Sequence, residues 1–402
     1  MLEADHLASA SVAAVATTKV REQHIAVFGG SGSGKTVLVS SFYGAAQEKA
    51  FTQDSLFYVN ADDTGQGHRL HQNFLGMKNS ATVPEPTRFA ATSYAFSIKS
   101  KGPSDEKIAK TRPFDELKLV WHDYPGEWFE QEPDRESEAT RRIETFRTLL
   151  RSDVAVVLVD GQKLLDNRGE EERYLKLMLG NLRGGLLRLR DDILDDGQPL
   201  AEFPRVWVIA LSKADLLPDL DVHGFRELLI EKAGSDISSL HEVVKSFVQL
   251  PEALSIGEDF MLLSSAKFEP GRIEVSKRVG LDLILPVATL LPLERLVRWS
   301  ERFDIPRKLV GQLADNAEAL ATVLVGANAF HAFVKRVPKV GPVLGTLVLP
   351  MLTAAIRLGK TKVEEANASA RANHDYLTAT LTQFRLDLDQ GVEDDILVKS
   401  VK

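Results

Sequence analysis

Short apolar runs punctuate the first three quarters of the chain, separated by stretches whose apolar residues recur every three or four positions. Residues 24–28 form such a run. A glycine-rich octapeptide and then VLVSSFYGAA follow, so the pattern predicts strand, loop and helix. Further strands are expected at 55–60, 94–99, 117–122 and 260–263. VAVVLVD (154–160) and RVWVIAL (205–211) are continuous apolar runs, the pattern of strands buried on both faces. Helical spacing marks 136–150, 170–194, 225–232, 240–248 and 283–299, whereas 61–86 is polar and predicts mostly loop with a short helix.

Strands alternating with helices imply crossover connections and a mainly parallel sheet covered on both faces. The expected fold is therefore α/β, a three-layer sandwich. From about Phe303 strand signals cease, and the pattern predicts an all-helical C-terminal region. The expected division is a leader at 1–22, an α/β domain at 23–302 with an insertion at about 45–86, and a helical domain at 303–402. Within the last, 319–334 and 340–356 carry no Asp, Glu, Lys or Arg and flank Lys335-Arg336-Val337-Pro338-Lys339. That pattern predicts a helical hairpin, either a buried core or a shallow docking element for a membrane or partner; the core reading is favoured. Residues 360–402 predict an amphipathic helix and a frayed tail.

The chain has 402 residues and no cysteine, which excludes disulfides, thiolate-bound metals and thiol catalysis. Its net charge is −8, from 49 basic and 57 acidic residues, so a general nucleic-acid-binding coat is not expected, with a local basic patch left open. The N-terminus has early acids and no long apolar stretch, so a secretory signal is not expected. These features suit the cytoplasm, with peripheral contact at the inner face of a membrane left open.

Gly29-Gly30-Ser31-Gly32-Ser33-Gly34-Lys35-Thr36 matches G-x-x-x-x-G-K-[ST]. Its glycines let successive N–H groups point inward as an anion nest, and the following helix adds the positive end of its dipole. Gly29, Ser31, Gly32, Ser33, Gly34, Lys35, Thr36 and Val37 are the expected phosphate-contacting positions. Lys35 would reach the β- and γ-phosphates, and the Thr36 hydroxyl would bind Mg²⁺.

Three later segments narrow the class. Asp123-Tyr124-Pro125-Gly126 ends a strand with D-x-x-G, in which Asp123 would hold Mg²⁺ through water and the Gly126 amide would sense the γ-phosphate. Ser212-Lys213-Ala214-Asp215 resembles the [NT]-K-x-D guanine motif. Asp215 would accept two hydrogen bonds from guanine, and the Lys213 stem would pack over the base. Ser264-Ser265-Ala266-Lys267 resembles the S-A-K loop that caps guanine, giving Ser265, Ala266 and Lys267 as candidates. Asp160-Gly161 does not fit the Asp-Glu ending expected of an ATP-binding cassette or helicase.

With these motifs in order, the chain resembles the translation-factor-class GTPases, and in DYPGEW and SKADLLP the YcjX-type and bacterial double-GTPase families. The resemblance covers about residues 22–300. It implies binding of GTP and GDP, Mg²⁺ dependence, slow GTP hydrolysis and an effector protein as partner. The class also allows a homodimer across the nucleotide face. Two residues depart from the usual pattern: Ser212 stands where Asn or Thr is usual, and Glu127 stands where Ras-like proteins carry a water-positioning Gln. Glu127 is either a water-orienting carboxylate or a non-catalytic switch residue. Thr87 is the expected switch threonine over Mg²⁺, with Thr92 as alternative. Arg88, Arg112, Arg141 or an arginine from a partner are arginine-finger candidates that the sequence does not separate. His68 and His71 share a helical face but lack a nearby third ligand.

Overall fold

The computed structural model describes residues 20–85, 92–101, 116–129, 133, 135–194, 197–200, 203–302 and 358–400, without the side chains of 129, 296, 297 and 300–302. Thr87, Arg88, Arg112 and the apolar segments 319–334 and 340–356 lie outside the described residues.

The centre is an eight-stranded sheet in the order β10-β7-β6-β5-β1-β4-β3-β2. Strand β1 (Val20–Phe28) pairs in parallel with β4 (Glu116–Asp123) on one side and β5 (Val154–Asp160) on the other. Beyond β5 come β6 (Val206–Ser212) and β7 (Ser255–Leu262), also parallel. Antiparallel strands close both edges: β3 (Thr92–Ser100) and β2 (Phe57–Ala61) beside β4, and β10 (Leu397–Val398) beside β7. Because β4 and β5 leave β1 in opposite directions, the carboxyl end of β1 is the topological switch point. A crevice opens there in doubly wound sheets.

Period-two alternation sorts the strand side chains into two core layers. Ile25, Val27, Val154, Val156 and Leu158 face one way. Ala26, Phe28, Ala155, Val157 and Val159 face the other. The first layer is covered by α1 (Lys35–Ala46), α9 (Ile284–Arg302) and α11 (Tyr376–Glu393). The second lies under α4 (Glu136–Leu149), α6 (Glu171–Arg188) and α8 (Val222–Lys245). All seven residues of β5 and of β6 are buried, which is why both read as unbroken apolar runs. Trp121 and Trp207 are core residues, as their strand positions predict.

The minor helices are α2 (Lys49–Asp54), α5 (Gly161–Asp166) and α7 (Arg190–Ile193), and α10 (Lys360–Ala372) precedes α11. Four expectations need revision. The mostly-loop stretch after β2 contains α3 (Thr64–Ser80), N-capped by Asp63, which accepts the Gln66 N–H at 2.8 Å. Its buried Gly67, Leu70, Phe74 and Met77 lie at helical spacing. The two helices expected at 225–248 are one element, α8, kinked at Ala233 (φ −143°). A small hairpin of β8 (Lys267–Glu269) and β9 (Arg272–Glu274) was not expected, because arms of three residues are too short to mark a strand. The tail is not frayed, because β10 is hydrogen-bonded to β7.

The C-terminal helices therefore belong to the same packed body as the sheet. Leu377, Leu381, Phe384 and Leu388 put one stripe of α11 into the first core layer. A buried ion pair fastens the neighbouring edge: Arg295 donates to Asp259, and neither is accessible to water to any meaningful extent. Asp259 also accepts the Ser400 N–H at 3.0 Å, and Arg295 donates to the Ser400 carbonyl at 3.0 Å.

Candidate nucleotide site

The glycine loop leaves β1 at Phe28 and enters α1 at Lys35. Gly32 (φ 77°) and Gly34 (φ 93°) hold the left-handed backbone that turns the amides inward, a conformation costly for residues with a Cβ. Ser31 and Gly32 form the exposed crest, Ser33 and Lys35 are buried, and Val37 is partly buried in the first helical turn.

Lys35 donates to the Gly29 carbonyl at 2.7 Å and the Gly30 carbonyl at 3.2 Å, and its ammonium lies 5.1 Å from the centroid of the Tyr124 ring. Thr36 Oγ1 approaches Asp123 Oδ2 at 3.4 Å, so a hydroxyl and a carboxylate converge beside the loop. Asp123 is buried at the end of β4, and its other oxygen accepts the Tyr124 N–H at 2.9 Å. Oxygen donors of this kind suit a hard divalent cation. Thr92 is paired in register with Asp123 across β3 and β4.

Tyr124 is the residue of D-x-x-G that sequence reasoning missed. It is wholly buried, and its hydroxyl accepts the Gly29 N–H at 2.9 Å, tying the segment after β4 to the loop. Two residues on, Gly126 packs directly on the loop. A Cβ there would lie 2.3 Å from Gly30 C and from Ser31 N, so only glycine allows the approach. Glu127 follows, partly exposed, in a short 3-10 turn at Gly126–Phe129. Trp128 is buried beneath the Arg142 guanidinium, 5.6 Å from the ring, and its carbonyl accepts from Arg142 at 3.1 Å. Arg141 is turned to its own helix, donating to the Ser137 carbonyl at 3.2 Å.

The second set of residues follows β6 and β7 at the same edge of the sheet. Ser212 donates to the Val159 carbonyl at 3.2 Å. Lys213 has left-handed backbone (φ 55°), and its ammonium pairs with Asp160 at 2.8 Å. Asp215 receives the Phe268 N–H at 3.0 Å and lies 2.6 Å from Ser264 Oγ. That hydroxyl is equally close to the Ala266 carbonyl, and its single proton can serve only one of them. Ser264 was not among the expected site residues; the only signal for it was the doubled serine. Ser265 and Ala266 are buried in the loop, and Lys267 opens β8 in an exposed pair with Glu269 at 2.7 Å. The structure thus brings Lys35, Thr36, Asp123 and Gly126 together at the loop, and Lys213, Asp215 and Ser264 together at the neighbouring strand ends. Among the described residues, no three His, Asp or Glu cluster as a metal site, and His68 and His71 gain no third ligand.

Sheet order, switch point and phosphate loop define a P-loop nucleotide-binding protein of GTPase type. The chain belongs to the Double-GTPase 2 family, whose sequence model matches residues 23–246. Membership makes it a guanine-nucleotide-binding protein by family. Among solved structures, the signal recognition particle receptor SRb-GTP/SRX complex from Chaetomium thermophilum is 17% identical, with a TM-score of 0.32, over 61% of this chain and 91% of that one. The GDP-bound RocCORdC of Methanosarcina barkeri Roco2 is 15% identical, with a TM-score of 0.22, over 63% of this chain and 46% of that one. No curated protein matches the sequence. Among the described residues, no helix is long and apolar enough to cross a membrane.

Proposed function

We propose that the protein binds GTP and hydrolyses it to GDP as a Mg²⁺-dependent switch. The observation that carries this reading is the convergence of Lys35, Thr36, Asp123 and Gly126 at one end of β1, beside a Lys213–Asp215 turn two strands away.

In this reading the loop amides and Lys35 hold the phosphates. Lys35 keeps its ammonium at the loop rim through the Gly29 and Gly30 carbonyls, so little reorganisation is needed when an anion arrives. Thr36 and Asp123 would hold Mg²⁺, with a threonine from the segment containing Thr87 as a further ligand; the ion would neutralise charge on the transferred phosphoryl group. Gly126 would turn its amide to the γ-phosphate, and Glu127 would orient the attacking water. Asp215 would accept from guanine N1 and N2, which adenine cannot reproduce. The C-terminal helices, packed on α1 and the sheet, would pass the switch state to an effector protein.

Parallel calorimetric titration with Mg-GTP and Mg-ATP tests the reading, with the Lys35→Ala variant as control. The expected result is strong preference for GTP and loss of tight binding in the variant. Equal affinity for ATP, or unchanged affinity in the variant, would overturn it. Single-turnover hydrolysis with Glu127→Gln then separates a working switch from a protein that holds GTP without cleaving it.

A further inference from the structure

Asp160-Gly161, the pair that ends β5 without matching an ATPase motif, has a place in this geometry. Asp160 sits opposite Ser212 in the parallel register of β5 and β6. Its carboxylate is 4% exposed and receives the Lys213 ammonium at both oxygens, 2.8 Å and 2.9 Å. The same carboxylate caps α5, accepting the Gln162 N–H at 3.0 Å, and the Asp160 N–H donates to the Tyr174 hydroxyl at 2.8 Å. Asp160 is therefore held by three contacts, one of them to the partly exposed Lys213. Gly161 brings the two strand ends into backbone contact: a Cβ there would lie 2.7 Å from the Ser212 carbonyl oxygen and 2.9 Å from that of Lys213.

Lys213 also adopts a left-handed backbone, uncommon for a residue with a long side chain. A lysine two residues before Asp215 would, if unrestrained, be drawn to that carboxylate and would cancel the charge that reads the base. We propose that Asp160 is the positioning residue for base selection. It holds the Lys213 ammonium from the sheet side, so that the lysine stem lies ready for a purine face and Asp215 keeps its charge for the guanine edge. Asp160 thereby supplies order that an Asn would give at the position of Ser212, whose hydroxyl is spent on the Val159 carbonyl. The proposal rests on the guanine reading above.

Its test compares Mg-GTP with inorganic tripolyphosphate, which uses the phosphate loop alone, on the full-length protein. Asp160→Asn keeps the size and helix-capping ability of the side chain but removes its charge. The expected result is GTP affinity at least tenfold weaker with tripolyphosphate affinity unchanged. Asp160→Glu should restore part of the loss. Lys213→Gln should match the loss, and the Asp160→Asn/Lys213→Gln double variant should lose no more than either single one. An unchanged GTP-to-tripolyphosphate ratio in Asp160→Asn, equal loss for both ligands, or additive losses would overturn the proposal. If Asp160→Asn does not fold, Asp160→Glu decides it by the same ratio: the displaced carboxylate should weaken GTP binding with tripolyphosphate affinity unchanged, and an unchanged ratio would overturn the proposal. Wild-type protein without preference for GTP over ATP overturns the guanine reading and this proposal together. Wild-type preference retained in the variants overturns only this proposal.

Discussion

Acid should weaken this protein by a measurable share through one histidine. His122 lies in β4, almost fully buried, with Nδ1 2.8 Å from Ser93 Oγ and Nε2 3.0 Å from His24 Nδ1. The two imidazoles stack with centroids 5.3 Å apart. Burial first, and the charge of His24 second, push the His122 pKa down from 6.5 to about 4. The unfolded chain therefore takes up this proton before the folded one does. The stability that His122 contributes is complete above its unfolded pKa of 6.5 and is lost as pH falls towards about 4. At about 1.4 kcal/mol per unit, the full loss is about 3 kcal/mol, of which about 2 kcal/mol falls between about pH 7 and about pH 5. The assay is urea unfolding at those two pH values for wild type and for His122→Asn. Carboxylates weaken both proteins alike, so the difference of differences isolates His122. The variant should lose about 2 kcal/mol less than wild type. Equal losses would refute the reasoning.

Arg295→Met strands the Asp259 carboxylate, which burial already pushes above the usual carboxylate range, and should cost about 3–5 kcal/mol in urea unfolding; under about 1 kcal/mol would show that the pair is dispensable. Gly44→Ala puts a Cβ 2.2 Å from Phe74 Cγ where α1 crosses α3, and should destabilise by about 1–3 kcal/mol, read as a lower thermal midpoint. Gly126→Ala meets loop backbone rather than a pliable side chain. It should slow single-turnover GTP hydrolysis at least tenfold with the fold intact by circular dichroism, and an unchanged rate would remove Gly126 from the switch.

The fold was legible where one force dominated. Strands β5 and β6 announce themselves because burial on both faces leaves no room for polar residues. The loop and its lysine were legible because few sequences can form an anion nest ahead of a helix. Helix α3 was hidden because its four buried positions stand among Gly, His and Asn, which are poor helix formers. Strand β10 is two residues long and pairs with a strand far back in the chain, so no local pattern could announce it. In the site, Tyr124, Asp160 and Ser264 gain their chemistry from neighbours that only the folded sheet supplies.

The β10–β7 pairing has a consequence for how the protein acquires its fold. Ser400 and the Asp259 carboxylate it binds are 141 positions apart. Closing such a contact is slow relative to forming the helices. Until it closes, β7 presents the backbone groups of Phe260, Met261 and Leu262 as an open apolar edge. Such an edge pairs with any strand that reaches it, including the same edge of another chain. Refolding yield should therefore fall as protein concentration rises, and the first aggregates should grow from β7. A chain cut ahead of α10 would carry that edge permanently and would also bare the core layer under α11, so loss of solubility in such a fragment would report an opened fold rather than a missing effector domain.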